Sequence, residues 1–215
     1  LANKGAPNLY GSCTTSFDFY CNSAPWGTPE GSLISACVSQ LANYYGVPSI
    51  VVGCASDSKM PDVQSGHETT MNMMLPTLAG AGNLTGAGMI ERGMSHSFEQ
   101  LIIDNDLFGV MNRIMEGVEV TKETMMVDDI IAVGPFGDYV DHPTTIENFG
   151  MINHSQALDH NMYDEWVSGG RKSALDLAHE RVVDILANHQ VTPIDNGTRK
   201  AIDVIIKEAD AKYQK

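Results

Sequence analysis

Three short apolar runs alternate with three long amphipathic segments in the first half of the chain, and this alternation constrains the fold more than any other feature. The runs cover residues 8–12, 49–53 and 83–86, and the segments cover residues 29–45, 64–78 and 97–117. Runs of this length are typical of strands, and apolar residues at helical spacing indicate helices. A strand–helix succession predicts a parallel sheet with crossover helices, so we predict an α/β fold.

The predicted sheet has too few strands to form a complete barrel. A closed (β/α)8 barrel needs about eight such units and roughly 250 residues, and a small parallel sheet would leave long open edges. Residues 1–5 also have the pattern of a last helical turn that ends at Gly5. We therefore expect the C-terminal part of a TIM (β/α)8 barrel from a longer protein. A small flavodoxin-like domain is the alternative.

The second half of the chain contains only helical patterns, over residues 121–133, 144–151, 173–188 and 193–213. Thr121 is expected to cap the first of these helices. We predict two domains, with residues 1–118 as the C-terminal β/α units of the barrel and residues 119–215 as a helical C-terminal extension. Such an extension could pack on the barrel or grip a partner.

The charge of the chain argues against several classes of partner. With 27 acidic and 13 basic residues, the formal net charge is −14, so nucleic-acid phosphates and anionic membranes would be repelled. No apolar stretch reaches the roughly 18 residues of a membrane span, and no signal peptide is visible. We expect a soluble, cytoplasmic protein.

Cysteine and histidine spacing does not predict a metal site. The four cysteines contain no C-x-x-C pair, so free thiols are expected rather than zinc ligands. Three histidines at positions 142, 154 and 160 are too loosely spaced to indicate a ligand set. No bound metal is therefore predicted.

Polar residues concentrate directly after the second predicted strand. Asp57, Lys59, Gln64, His67 and Glu68 follow it within a short stretch, and functional groups of α/β barrels gather where strands end. Gln64 and Glu68 are four residues apart and therefore share a helix face. An ordinary loop that leads into a capped helix explains the same spacing, so both interpretations remain open.

The loop between the first predicted strand and the first predicted helix is rich in aromatic residues. Phe17, Phe19, Tyr20 and Trp26 lie in it. Aromatic rings can surround a methylated ammonium group through cation–π attraction. Packing of a surface loop is the alternative explanation.

Several longer stretches resemble a known family. They are YGSCTTSFD from residue 10, GTPE from 27, SDSK from 56 with PD from 61, QSGHE from 64, GAGMIE from 86, FEQL from 98 with DND from 104, and VGP from 133. In this order they resemble the trimethylamine methyltransferase family, over residues 1 to about 170. Members are much longer than this chain, so the resemblance also implies the C-terminal part of such a protein.

The resemblance implies a function in methylamine metabolism, including methanogenesis. Members have a TIM barrel whose mouth binds a methylated amine, and the methyl group passes to the cobalt of a corrinoid (cobalamin) held by a separate small protein. No cofactor bound directly, a cognate corrinoid protein as partner and a homo-oligomeric assembly are therefore expected. Trimethylamine is the substrate that the resemblance places first.

The resemblance also implies roles for two groups of residues. The first group marks the reacting position, orients or charge-balances the ammonium and faces the corrinoid: Ala55, Asp57, Gln64, His67 and Glu68. The second group forms the substrate-binding wall: Tyr10, Phe17, Trp26 and Ser56.

The sequence departs from the family pattern at Ala55. Members that use trimethylamine carry pyrrolysine, encoded by UAG, and its place falls at this position. Either the chain is a pyrrolysine-free relative, similar to enzymes that act on quaternary amines such as glycine betaine, or alanine does not represent the encoded residue. An electrophilic imine can add trimethylamine, and alanine cannot. A third possibility is a non-catalytic binding or scaffold homologue.

Overall fold

Three short parallel strands joined by helices form the first part of the molecule. The computed structural model describes residues 3–213. Strands β1 (Tyr10–Ser12), β2 (Ser49–Val52) and β3 (Leu84–Thr85) form one parallel sheet with β2 in the centre. Helices α1 (Pro29–Tyr45) and α2 (Val63–Leu78) connect them. The α/β prediction is confirmed, whereas membership of the sheet in a barrel stays a prediction.

The sequence defines the ends of these helices through caps. Thr28 accepts a hydrogen bond from the Gly31 backbone N–H at the start of α1, and Gly46 ends α1 in the left-handed region with φ +67°. At the start of α2, Asp62 and Ser65 form a reciprocal capping box. The predicted turn at residues 1–5 begins outside the described residues, and Gly5 has φ +81°.

The buried face of α1 differs from the face that periodicity suggests. The apolar stripe that includes Leu33 and Leu41 is exposed, and the buried residues are small: Gly31, Ser32, Ser35, Ala36, Ser39 and Ala42. Small side chains allow the helix backbone to come close to its neighbours, and the hydroxyls remain satisfied. For example, the Ser35 hydroxyl donates to the Val52 carbonyl.

Methionine, cysteine and leucine side chains form a core shared by the end of the sheet, α2 and helix α3 (Phe98–Glu116). Cys54, Met73 and Met111 are its buried centre, where flexible thioethers can fill irregular gaps. Ser97 caps α3 by accepting from the Gln100 backbone N–H. The Gln100 side chain does not complete a capping box, because it bonds to Asp104 instead.

An antiparallel hairpin between β3 and α3 was absent from the sequence prediction. It consists of β4 (Met89–Ile90) and β5 (Ser95–His96), joined by a 3-10 turn over Glu91–Gly93. Two-residue strands have too little periodicity to be recognised in a sequence. The hairpin matters because its backbone contacts the segment that follows β2.

Beyond α3, the described residues form helices and turns without strands, as predicted. The helices are α4 (Val127–Val133), α5 (Pro143–Glu147), α6 (Tyr163–Ser168), α7 (Ala174–Asn188) and α8 (Asn196–Tyr213). The helix predicted from Thr121 is wrong in its start, because Thr121 and Thr124 bond to each other in a turn and Met126 adopts φ +48° before α4.

The structure divides into two compact units at the boundary between Val182 and Val183. The predicted division at residues 118 and 119, between barrel units and extension, stays a prediction. Within residues 3–213, every helix is too short or too polar to cross a lipid bilayer. The cysteines are free thiols, as expected.

Candidate active site

A cavity of about 170 Å³ lies at the carboxyl ends of the three parallel strands. Each strand contributes a residue that directly follows or ends it. The lining is Cys13, Trp26, Val52, Ala55, Thr85, Gly86, Met89, Arg92 and Gly93. The carboxyl edge of a parallel sheet is the usual place for function in α/β folds, so this cavity is the candidate active site.

Ala55 forms part of the cavity lining and is only 3% exposed. Its carbonyl accepts a hydrogen bond from Asn72 Nδ2 at 2.9 Å. Gly86 lies against it, and an added Cβ at Gly86 would be 3.6 Å from the Ala55 Cβ. The backbone at position 55 is therefore held from two sides, while its methyl group contributes no polar or titratable atom.

Both carboxylate oxygens of Glu68 accept hydrogen bonds at the segment that follows β2. Oε2 accepts from the Ser56 hydroxyl and from the Asp57 backbone N–H, each at 2.7 Å. Oε1 accepts from Gln64 Nε2, also at 2.7 Å. The shared helix face predicted for Gln64 and Glu68 is therefore present and is turned toward the end of β2.

Asp57 connects the end of β2 to the aromatic loop. Its two oxygens accept from the backbone N–H groups of Trp26 and Gly27, both at 2.9 Å. The Arg92 guanidinium lies 3.8 Å from the same carboxylate. Lys59 Nζ donates to the Asp57 backbone carbonyl at 2.9 Å.

The structure gathers six of the nine predicted site residues and leaves three apart. Ala55 and Trp26 line the cavity, and Ser56, Asp57, Gln64 and Glu68 form the hydrogen-bonded layer next to it. The roles assigned to these residues stay predictions.

The other three predicted residues do not line this cavity. Tyr10 begins β1, at the opposite end of the strand, with its ring 5.8 Å from that of Tyr45. Phe17 is 51% exposed and packs edge-on against Phe19. His67 is exposed on α2. Their expected roles in the aromatic wall and at the corrinoid find no support in this arrangement.

Arg92 and Met89 are lining residues that sequence reasoning missed. Arg92 and its neighbour Glu91 have φ values of +60° and +51°, a rare pair of left-handed non-glycine residues. In this turn, the Arg92 backbone N–H donates to the Ser56 carbonyl at 3.0 Å. The Met89 backbone carbonyl accepts from the Ser56 N–H at 3.1 Å. The glycines at positions 86, 88 and 93 were the available signal for such a turn.

The Cys54 thiol, which directly precedes Ala55 in the chain, is fully buried. Burial raises the pKa of the Cys54 thiol far above its usual value, so this thiol is not a nucleophile at neutral pH.

Within residues 3–213, no three His, Cys, Asp or Glu side chains are placed to hold a metal ion together.

The fold and the cavity define an α/β protein with a small recess at the carboxyl edge of its parallel sheet. The chain belongs to the trimethylamine methyltransferase family, because the sequence model of that family, described as trimethylamine methyltransferase (MTTB), matches residues 1–213. The resemblance seen in the sequence is thereby confirmed.

Individual relatives agree with this membership. The chain is 45% identical over 214 residues to trimethylamine methyltransferase MttB of Methanosarcina barkeri, covering 100% of the chain and 43% of the relative. It is 46% identical over 195 residues to MttB of Methanosarcina thermophila, covering 91% and 40%. Glycine betaine methyltransferase of Desulfitobacterium hafniense strain Y51 is 33% identical over 214 residues, covering 99% and 42%. The chain therefore spans less than half the length of these relatives.

Proposed function

We propose that this chain is part of a methyltransferase that moves a methyl group from trimethylamine to the cobalt of a cognate corrinoid protein. The observation that carries the proposal is the cavity at the carboxyl ends of β1, β2 and β3, with Ala55 in its lining. The relatives named for trimethylamine support the choice of substrate.

The size and lining of the cavity suit a small methylated amine. About 170 Å³ is less than the roughly 300–1,000 Å³ typical of pockets for drug-sized ligands. Trp26, Met89 and Ala55 provide apolar and polarisable residues for the lining. An aromatic face attracts a methylated ammonium, and the positive charge of Arg92 in the same lining is offset by the Asp57 carboxylate 3.8 Å away.

The residues of this chain position the amine, and the corrinoid partner supplies the nucleophile. The partner's reduced corrinoid would supply the electron pair that bonds to the methyl carbon, and the C–N electron pair would stay on a quaternary nitrogen, which would leave as an amine with one methyl group fewer. Asp57 and Glu68 contribute by holding the Trp26 loop and the Ser56 segment in fixed geometry. Such positioning is what makes a direct displacement efficient.

A quaternary amine such as glycine betaine is the second candidate, and Ala55 favours it. A quaternary nitrogen is already an adequate leaving group and needs only positioning, whereas a tertiary amine needs an electrophile that alanine does not offer. Mass spectrometry of the peptide that contains position 55, from the natural source, would distinguish alanine from pyrrolysine. A mass heavier than that of alanine would favour trimethylamine.

The activity test uses the full protein that carries this chain. It is mixed with reduced corrinoid protein and either trimethylamine or glycine betaine, and methylation of cobalt is followed by visible absorbance. We expect methylation with trimethylamine. Methylation with glycine betaine alone would support the second candidate, and no methylation with either amine would support a non-catalytic binding or scaffold homologue.

A further inference from the structure

A buried carboxylate on α3 holds the loop that forms one wall of the candidate active site. Asp104 is fully buried, and its Oδ2 accepts from the Gly88 backbone N–H at 2.7 Å. Gly88 lies between Gly86 and Met89, which both line the cavity. Asp104 itself is absent from the lining, and its bond to Gly88 is its direct link to the loop that forms this wall.

The loop around Gly88 is connected to the rest of the site by backbone bonds. Gly88 has φ +78°, and its carbonyl accepts from the Ser97 N–H at 2.9 Å. Met89 donates to the Gly86 carbonyl at 2.9 Å and accepts from the Ser56 N–H at 3.1 Å. A shift of Gly88 would therefore move both the Met89 wall and the segment next to Ala55.

The surroundings of Asp104 can accommodate two protonation states. Burial raises the pKa of Asp104 to about 6, against the opposing effects of the Gly88 and Gln100 hydrogen bonds and of His96. The other titratable group that faces it is the Cys54 thiol. At neutral pH, the carboxylate makes a charge-assisted bond to Gly88, which is about twice as strong as a neutral one.

Gln100 is the feature that makes the neutral state possible. Its Nε2 donates to Asp104 Oδ1 at 2.7 Å, whereas its Oε1 is buried without a hydrogen-bond partner. After rotation of this amide, a protonated Asp104 could donate to Oε1. Protonation would then replace the charge-assisted bond at Gly88 with a weaker one and leave the helix intact.

We propose that Asp104 is a positioning residue for the candidate active site, which fixes the Gly86–Met89 wall through the Gly88 N–H when it is ionised and loosens that wall when it is neutral. The consequence for amine binding rests on the proposed function. The effect of Asp104 on the wall does not rest on the proposed function, because it concerns only the backbone at Gly88.

The experiment compares Asp104→Asn with Asp106→Asn in the full protein. Asp106 is a matched control, since it is a buried carboxylate on the same helix that binds the 155–157 loop instead. Hydrogen–deuterium exchange of peptides covering residues 84–90 is the first measurement. We expect Asp104→Asn to raise exchange at Gly88 about five- to tenfold and Asp106→Asn to leave it unchanged.

A second measurement follows trimethylamine and glycine betaine binding by calorimetry between pH 5 and pH 8. The wild-type protein should lose affinity below about pH 6, and Asp104→Asn should have weak affinity without this inflection. If Asp104→Asn does not fold, the wild-type protein alone provides the test. The protection of its Gly88 amide against exchange, after correction for intrinsic exchange, should decrease when the pH is lowered past about 6.

Unchanged Gly88 exchange in a folded Asp104→Asn protein would overturn the proposal, and so would wild-type Gly88 protection that does not vary with pH. These outcomes differ from a failure of the proposed function. In that case neither amine would bind or react, while the exchange at Gly88 would still respond to Asp104.

Discussion

Glu68 lies directly against Gly27, and the two residues fit only because position 27 has no side chain. A Cβ added to Gly27 would be 2.2 Å from the Glu68 Cδ. The Glu68 carboxylate cannot easily move away, because Ser56, Asp57 and Gln64 all donate hydrogen bonds to it. The end of β2, the start of α2 and the Trp26 loop therefore depend on one close contact.

The first prediction concerns this contact. Gly27→Ala should lower the free energy of unfolding by about 1–3 kcal/mol, because the methyl group forces the pinned carboxylate out of place. In a Glu68→Ala background, the same substitution should cost much less. A double-mutant cycle from urea denaturation measures the coupling, and strictly additive effects would contradict the contact.

The second prediction concerns Asp57, which accepts from two backbone N–H groups. Asp57→Asn places an amide N–H₂ against one of these donors, so the free energy of unfolding should fall by about 1–3 kcal/mol. Hydrogen exchange at Trp26 and Gly27 should rise. Asp128→Asn on α4, which is exposed, is the control and should change stability by less than about 0.5 kcal/mol.

The third prediction concerns the cavity. Ala55→Leu should fill much of the space of about 170 Å³ and weaken amine binding at least about tenfold, with a loss of about 1–3 kcal/mol in the free energy of unfolding. Calorimetry with trimethylamine and glycine betaine, together with thermal denaturation, provides the test. Ala201→Leu on α8 makes the same change at an exposed position and should leave binding intact. Unaltered binding in Ala55→Leu would place the amine elsewhere.

The fourth prediction concerns the cap of α2. Asp62→Ala should lower the free energy of unfolding by about 0.5–2 kcal/mol at pH 7. Asp62→Asn should lower the free energy of unfolding by only a few tenths of a kcal/mol, because the amide oxygen can still accept from the Ser65 N–H and the Ser58 hydroxyl. Denaturation with urea at pH 7 compares the three proteins.

The charge of this cap adds a pH dependence. The Ser65 and Ser58 hydrogen bonds hold the pKa of Asp62 below its usual value. The contribution of the charge is therefore present above about pH 4 and is lost as the pH falls through the lowered folded-state value. The stability difference between wild type and Asp62→Asn should narrow on acidification; a constant difference from pH 7 to pH 3 would contradict this.

Local signals determined much of the architecture. Helix α1 begins at Pro29 and ends at Tyr45, as predicted, because Thr28 and Gly46 are strong caps at its two ends. The strand–helix alternation predicted the parallel sheet, since each apolar run is short and is separated by a long amphipathic segment. The positions of Asp57 after β2 and of Glu68 on α2 predicted a candidate site at the end of β2, and its function stays a prediction.

Contacts between distant parts of the chain decided the rest. No spacing rule links Arg92 to Ser56 or Asp104 to Gly88, because these bonds form only after the hairpin has packed beside the end of β2. The same holds for α1, where close approach to its neighbours, rather than hydrophobicity, selects the serine face for burial. The sequence by itself therefore determined the family and the parallel sheet, and it predicted a site at the end of β2. Only tertiary packing decided which side chains line the cavity, because lining depends on distances that periodicity does not encode.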